Sequence, residues 1–91
     1  MSGAPRLAPK VRLKWDRREG RHMVIFPERG LVLNVSAAAI LKLCDGARSN
    51  DAIATELAAP RGADMETVRR DVSAFLDEMR RRGLVVDGDP G

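Results

Sequence analysis

The side chains that could do chemistry are few in this 91-residue chain, and they do not gather into a reactive set. His22 is the one histidine and Cys44 the one cysteine, so a His/Cys metal cluster or an internal disulfide is excluded. Asp77 and Glu78 are neighbours on a predicted helix, where adjacent side chains point in different directions. The sequence contains no Gly-rich phosphate loop and no nucleophile elbow. These features predict a protein that is not an enzyme, with no catalytic residue, metal site or cofactor.

Charge is distributed unevenly along the chain, whose net charge is +3. Residues 1–34 hold eight Lys or Arg against three Asp or Glu, whereas residues 35–82 hold eight of each sign. This excess makes the N-terminal third basic. A basic surface can attract an acidic peptide, a nucleic acid or an acidic protein face, and it can also be no more than an Arg-rich soluble surface.

Length and composition predict a single small domain in the cytoplasm. Hydrophobic residues make up 44% of the chain, which is typical of a globular protein. The first ten residues lack the apolar stretch of a signal peptide, and no apolar run is long enough to span a membrane. We expect a flexible N-terminal arm at residues 1–9, one domain at residues 10–86 and a flexible tail at residues 87–91.

Three stretches in the first third have the patterns of β-strands. The segment "KVRLKWD" alternates apolar and polar side chains, as a half-buried strand does. The segment "RHMVIFP" is more continuously apolar, and "LVLNV" follows it after the turn "PERG". Short turns between the strands predict an antiparallel meander. Unless it is covered, an edge strand of such a meander presents N–H and C=O groups that another strand can pair with.

Three helical patterns follow the strands. N-caps are predicted at Ser36 for the first helix, at Ser49 or Asn50 for the second, and at Asp64 for the third. Gly46 is expected to end the first helix. Three strands followed by three helices predict an α+β fold that is winged-helix-like, with a three-stranded antiparallel sheet. The third helix carries apolar residues on one face over four turns: Met65, Val68, Val72, Phe75, Leu76 and Met79.

Two kinds of binding remain open for this fold. A winged-helix module that binds nucleic acid is one alternative, but residues 64–82 hold five carboxylates against five arginines, and the carboxylates would repel phosphates. Capture of a peptide by strand addition is the other, because Leu31, Val32 and Leu33 form a strand that is apolar on both faces. The plain interpretation of the apolar stripe on the third helix is that it forms the core.

The order of "PERGLVLN", "ILKLCDG" and "DVSAFL", followed by "GLV", resembles the PqqD family of pyrroloquinoline quinone biosynthesis. The resemblance runs from about Pro5 to Val86. It implies a peptide-recognition domain that binds the ribosomal precursor peptide of the pathway. It also implies that the domain presents this peptide to a radical S-adenosylmethionine enzyme, which cross-links a Glu and a Tyr in it. No nucleic-acid or membrane partner is implied.

The resemblance also implies where the peptide binds. It would join the sheet as an added strand beside the third predicted strand and pack against the third helix. The docking edge would then be Leu31, Val32, Leu33 and Asn34. The groove wall would be drawn from Val68, Arg69, Val72, Phe75, Leu76 and Met79. Because an unoccupied edge invites self-pairing, a homodimer of the free protein is a further expectation.

Overall fold

The computed structural model describes residues 4–26 and 29–88, which form five strands, three α-helices and one short 3-10 helix. The strands are β1 (Ala4–Leu7), β2 (Arg12–Asp16), β3 (Arg21–Phe26), β4 (Arg29–Val32) and β5 (Val85–Gly88). The α-helices are α1 (Val35–Lys42), α2 (Asn50–Ala58) and α3 (Met65–Arg81), and the 3-10 helix is Ala59–Arg61. Within these described ranges no helix is long and apolar enough to cross a membrane.

The central sheet is an antiparallel meander in the order β2-β3-β4, as the strand patterns predicted. Leu13 lies opposite Val24, and Val24 lies opposite Leu31. Because side chains alternate between the faces of a strand, this row points to one face, where Val24 is fully buried. The predicted α+β order, three strands of one sheet followed by three helices, is confirmed. The two residues of the turn between β3 and β4, in the predicted "PERG" turn, lie outside the described ranges.

The helices cover the inner face of this sheet and complete one hydrophobic core. Ile53 of α2 and Leu76 of α3 are fully buried, and Val72 is nearly so. Helices α2 and α3 pack against each other, while α1 lies against β3. Burying one such aliphatic side chain contributes about 1.5–3 kcal/mol, so these few contacts dominate the stability of a domain of this size.

The helix N-caps agree with the sequence at two positions and differ at one. The Ser49 hydroxyl accepts a hydrogen bond from the Ala52 N–H, and the Asp64 carboxylate accepts from the hydroxyl and the N–H of Thr67. Those two bonds lower the pKa of Asp64 below its ordinary value. The predicted cap at Ser36 is wrong, because α1 begins two residues earlier.

Asn34 is the residue that caps α1. Its Oδ1 accepts from the Ala37 N–H at 2.7 Å, which places Ser36 inside the first turn. The predicted end at Gly46 is also wrong, since the helix ends at Lys42 with Leu43 as its C-cap. Gly46 instead adopts a φ of +79° and donates its N–H to the Pro5 carbonyl oxygen at 3.0 Å.

The contributions of the two candidate caps, Asn34 and Ser36, to the free energy of unfolding can be measured. Asn34→Ala should lower the free energy of unfolding by about 1 kcal/mol, because it leaves an N-terminal N–H of α1 without its partner. Ser36→Ala is the matched control and should change this free energy by less than about 0.5 kcal/mol, because Ser36 is exposed. Urea unfolding followed by circular dichroism measures both. A larger loss for Ser36→Ala would contradict the observed start of α1.

A second, two-stranded sheet joins residues 4–7 to residues 85–88, at the two ends of the described chain. Strand β1 pairs antiparallel with β5, with Pro5 opposite Asp87 and Leu7 opposite Val85. Residues 4–7 of the expected flexible arm (residues 1–9) and residues 87–88 of the expected flexible tail (residues 87–91) therefore lie in paired strands, and the flexibility of these segments stays a prediction. Residues 1–3 and 89–91 lie outside the described ranges.

Packing explains why these terminal segments are ordered. Pro5 is buried, and so is Val85. A Cβ added at Gly88 would lie 2.7 Å from the carbonyl oxygen of Gly46, closer than real Cβ atoms approach. The two glycines therefore allow β5 to lie against the loop after α1. Sequence reasoning treated the prolines near the N-terminus as signs of a loose arm, but proline is tolerated at a strand edge.

Candidate functional site

The unpaired flank of β4 is the main feature of the candidate site. In the described part of the chain, β4 pairs with β3 on one side and with no strand on the other. The Leu33 N–H donates to the His22 carbonyl oxygen at 2.9 Å, which fixes the hydrogen-bond phase of this pair. In an antiparallel strand, the main-chain N–H and C=O groups of successive residues point alternately to the two flanks of the strand. The main-chain groups of Leu31 and Leu33 therefore point to β3, and those of Gly30 and Val32 point outward.

The four predicted edge residues differ in what they leave accessible. Val32 is exposed and Leu31 is half-buried, whereas Leu33 is 4% exposed and belongs to the core. The Asn34 carbonyl oxygen accepts from the Ala38 N–H in the first turn of α1, and its side chain caps the same helix. The outward donors and acceptors thus come from Val32 and from Gly30, a residue that sequence reasoning did not single out.

Gly30 is identified by the strand register, which the structure shows and the sequence does not. It lies opposite Ile25, two residues before Val32, so its N–H and C=O point to the same side as those of Val32. A Cβ added at Gly30 would lie 3.1 Å from the Cε of Met23, so glycine also avoids crowding on the outer face. The sequence alone does not show which residues direct their main-chain groups to the free flank. It indicates only the large apolar side chains of the strand.

Five of the six residues predicted as the groove wall fall into two groups, and the sixth, Arg69, is charged. Val72, Leu76 and Met79 are buried in the core, with exposures of 4% or less. Val68 and Phe75 are partly buried and pack against the core from its rim. Arg69 is held by ion pairs, with Glu66 at 2.9 Å on the same helix and with Asp51 of α2 at 3.2 Å.

A small cleft of about 130 Å³ lies beside the N-terminal half of α3. Val68 and Val72 line it from α3, and Ser36 and Ile40 line it from α1. None of residues 31–34 lines this cleft, so the structure brings part of the predicted wall together with α1 rather than with the predicted edge. The partly buried Leu31, on the edge strand, packs against the same core as Val68.

Electrostatic pairing is confined to the helical half of the described chain. Every ion pair found among these residues joins side chains between Asp45 and Asp87. The cations of β2, β3 and β4 are exposed and belong to none of these pairs: Arg12, Lys14, Arg21 and Arg29. The sheet therefore presents a basic surface, as the charge distribution of the sequence predicted, and it favours negatively charged ligands.

The two isolated reactive side chains are in structural positions. Burial raises the pKa of the Cys44 thiol to about 11, and its Sγ donates to the Ile40 carbonyl oxygen at 3.4 Å. Such a thiol is protonated at neutral pH and is a poor nucleophile. His22 packs edge-on against Trp15, with ring centroids 4.9 Å apart. No group of three metal-ligating side chains occurs among the described residues.

Comparison with known proteins gives consistent matches. Residues 21–85 match the family model described as coenzyme PQQ synthesis protein D (PqqD). The chain is 39% identical over 83 residues to a PqqA binding protein of Rhodopseudomonas palustris strain TIE-1, covering 91% of this chain and 81% of that protein. It is 33% identical over 79 residues to a PqqA binding protein of Methylococcus capsulatus, covering 87% of this chain and 83% of that protein.

Solved structures show the same relationship. The fold is similar to the solution structure of the PqqD truncation of Methylobacterium extorquens PqqCD, with a TM-score of 0.79 and 32% identity over 94% of each chain. That domain is described as a functional, stand-alone recognition element for ribosomally synthesised and post-translationally modified peptides. The crystal structure of PqqD from Xanthomonas campestris gives a TM-score of 0.58 and 30% identity over 84% of each chain. This chain belongs to the PqqD family.

Proposed function

We propose that this protein binds the precursor peptide of pyrroloquinoline quinone, and that the peptide joins the central sheet as a fourth strand beside β4. The observation that carries this proposal is the unpaired flank of β4, where the main-chain groups of Gly30 and Val32 point outward. Strand addition uses such groups for affinity, while alternate side chains of the peptide supply specificity.

Three further observations support this function. Relatives that are up to 39% identical over most of their length are named PqqA binding proteins. A domain of the same fold is a recognition element for ribosomally made peptides. The basic surface of the sheet suits an acidic peptide, because opposite charges speed association and favour the correct partner.

We propose different roles for the two groups of residues on α3. Val68 and Phe75, at the rim of the core, would contact the side chains of the added strand. Val72, Leu76 and Met79 would hold α3 in place from beneath, since they are buried without any ligand. Arg69 would act mainly through its ion pairs, of which the one with Asp51 joins the N-terminal half of α3 to α2.

We also propose that the bound peptide is presented to the radical S-adenosylmethionine enzyme of the same pathway. The relationship to PqqCD, the protein from which the Methylobacterium extorquens domain was truncated, supports partnership with pathway enzymes in general. In this proposal the chain itself performs no chemistry. Its part is to hold the peptide in an extended form, which lowers the entropic cost of docking to the enzyme.

Titration of the ¹⁵N-labelled protein with the unmodified precursor peptide tests the site. We expect amide shifts to concentrate in residues 29–34 and in α3, because these flank the added strand. Peptides N-methylated at alternate positions provide a matched control. Only the methylated positions whose N–H faces β4 should abolish binding, while the intervening ones should not. Shifts confined to residues 10–21 would rule out this site.

The free edge of β4 can also pair with a second copy of the chain. We propose that the protein without peptide is a homodimer formed in this way. The titration is therefore repeated at two protein concentrations, with sedimentation measured beside it. A peptide that occupies β4 should convert any dimer into a one-to-one complex. A dimer that persists unchanged with bound peptide would place the self-association elsewhere on the surface.

A further inference from the structure

A second cleft, larger than the one beside α3, extends away from the free flank of β4. It has a volume of about 680 Å³ and is lined by the end of the β2–β3 hairpin, the start of α1 and part of α2. No residue of β4 or of α3 contributes to it. Trp15 lines it from β2, which lies about 10 Å across the sheet from β4, since two strand spacings separate them. Leu33 and Asn34, which directly follow β4, line the near side of the cleft, so a peptide paired with β4 would leave its Trp15 side open.

The lining of the cleft is apolar and includes unusually exposed side chains. Its floor includes Leu33, Ala38 and Leu57, which are buried or half-buried. Trp15 is 51% exposed and Val35 is 80% exposed, and both border the opening. The third large hydrophobic side chain with comparable exposure in the described ranges is Val32, on the edge strand. Exposed apolar groups gathered around a cavity mark an interaction surface, and tryptophan is enriched among residues that anchor partners.

The charges at the opening point to the chemistry of the partner. Arg21 and Lys42 border the cleft, and neither belongs to an ion pair of the described residues. The one carboxylate in the lining is that of Glu56, and it is already paired with Arg48 at 2.5 Å. The cleft thus combines an apolar floor with two uncompensated cations, so it complements an apolar group flanked by negative charge.

We propose that this cleft docks an acidic segment of a partner protein, which inserts one large apolar side chain beside Trp15. The carboxylates of the segment pair with Lys42 at the rim, and Arg21 adds positive charge at the end of the hairpin. This second surface operates at the same time as strand addition at β4, so the protein holds a peptide and a partner through separate faces. The inference does not rest on the identity of the peptide at β4.

Short synthetic peptides test this chemistry directly. The probe is acetyl-Asp-Glu-Phe-Glu-Asp-amide, and the controls replace its Phe by Ala or its four acidic residues by Lys. Trp15 is the one tryptophan of the chain, so its emission reports on the cleft. We expect saturable emission changes with the probe at a Kd of about 1 mM or lower. Amide shifts should lie around residues 15, 22, 35 and 42. Both control peptides should bind more weakly by at least about fivefold.

Two charge-reversing variants separate local recognition from general attraction. Lys42→Glu should weaken probe binding about fivefold or more. Lys14→Glu is the matched control, because Lys14 is exposed and next to Trp15 in β2 but does not line the cleft. It should change the affinity by less than about twofold. Val32→Pro should leave probe binding unchanged, which separates failure of this proposal from failure of strand addition.

Several results would overturn the proposal. Equal losses in Lys42→Glu and Lys14→Glu would show non-specific attraction, and equal affinity for the Ala control would show that no anchor is inserted. Probe shifts along β4 and α3 would assign the probe to the other surface. Trp15 emission that changes on dilution of the protein alone would show that a second copy, rather than a partner segment, occupies the cleft.

Discussion

Val32→Pro should lower the affinity for the precursor peptide by at least about tenfold while the domain stays folded. The Val32 N–H points outward from the free flank of β4, so the substitution removes a donor that strand addition needs. The fold does not use this donor, and proline is tolerated at edge positions whose N–H faces solvent. Isothermal titration calorimetry measures the affinity, and circular dichroism checks the fold.

Two further variants show whether the loss of peptide affinity comes from the missing main-chain donor or from the changed side chain. Val32→Ala keeps the N–H and removes only part of an exposed side chain, so it should weaken binding by less than about threefold. Leu31→Pro should unfold the domain or destabilise it strongly, because the Leu31 N–H points to β3 and belongs to the ladder. Comparable losses of binding in Val32→Pro and Val32→Ala would mean that side-chain burial, not main-chain pairing, drives recognition.

Phe75→Leu should weaken peptide binding less than Val32→Pro does. Phe75 is partly buried at the rim of the core, and leucine retains most of its apolar surface. A phenylalanine-to-leucine change therefore trims one side-chain contact, whereas the proline removes a main-chain donor from the centre of the added strand.

The order of strands and helices could be predicted from the sequence, because each element carries a periodic pattern or a cap. The alternation in "KVRLKWD" and the stripe on α3 have one physical cause, the burial of one face. The cap of α1 could not be placed by pattern alone. Asn34 and Ser36 are both good cap residues two positions apart, and the length of the preceding strand decides between them.

The pairing of β1 with β5 could not be predicted from the sequence, for a different reason. The two segments are about 80 residues apart, and each is too short to show a pattern. Their pairing requires a close approach of backbones at Gly46 and Gly88, which is a tertiary property. Local propensity carries no information on such a contact.

The sequence indicates some features of the candidate site and leaves others open. An edge strand rich in Leu and Val could be recognised, yet which of its residues turn their N–H outward depends on the hydrogen-bond phase. The cleft beside Trp15 was likewise invisible in the sequence. It forms because a hairpin end, a helix start and a second helix converge there, and none of the three segments is unusual by itself.

Leu76→Ala should lower the free energy of unfolding by about 2–5 kcal/mol, a large share of the total for a domain of this size. Leu76 has no exposed surface and lies on α3 within the main core, so truncation leaves a cavity. Chemical unfolding in urea, with the slope compared between variants, measures the loss. The resemblance placed Leu76 in the groove wall, and a residue of that wall should also lose peptide binding on truncation.

Val68→Ala is the matched test of the rim of α3. Val68 is half-buried, lines the small cleft and lies two turns before Leu76, so its truncation should cost less than about 1.5 kcal/mol of stability. If α3 forms a groove wall through its rim, Val68→Ala should weaken peptide binding more than Leu76→Ala does, once each affinity is corrected for the unfolded fraction. The reverse order would mean that the peptide reaches the core stripe itself. That would require α3 to move away from the sheet on binding, since Leu76 is inaccessible in the structure described.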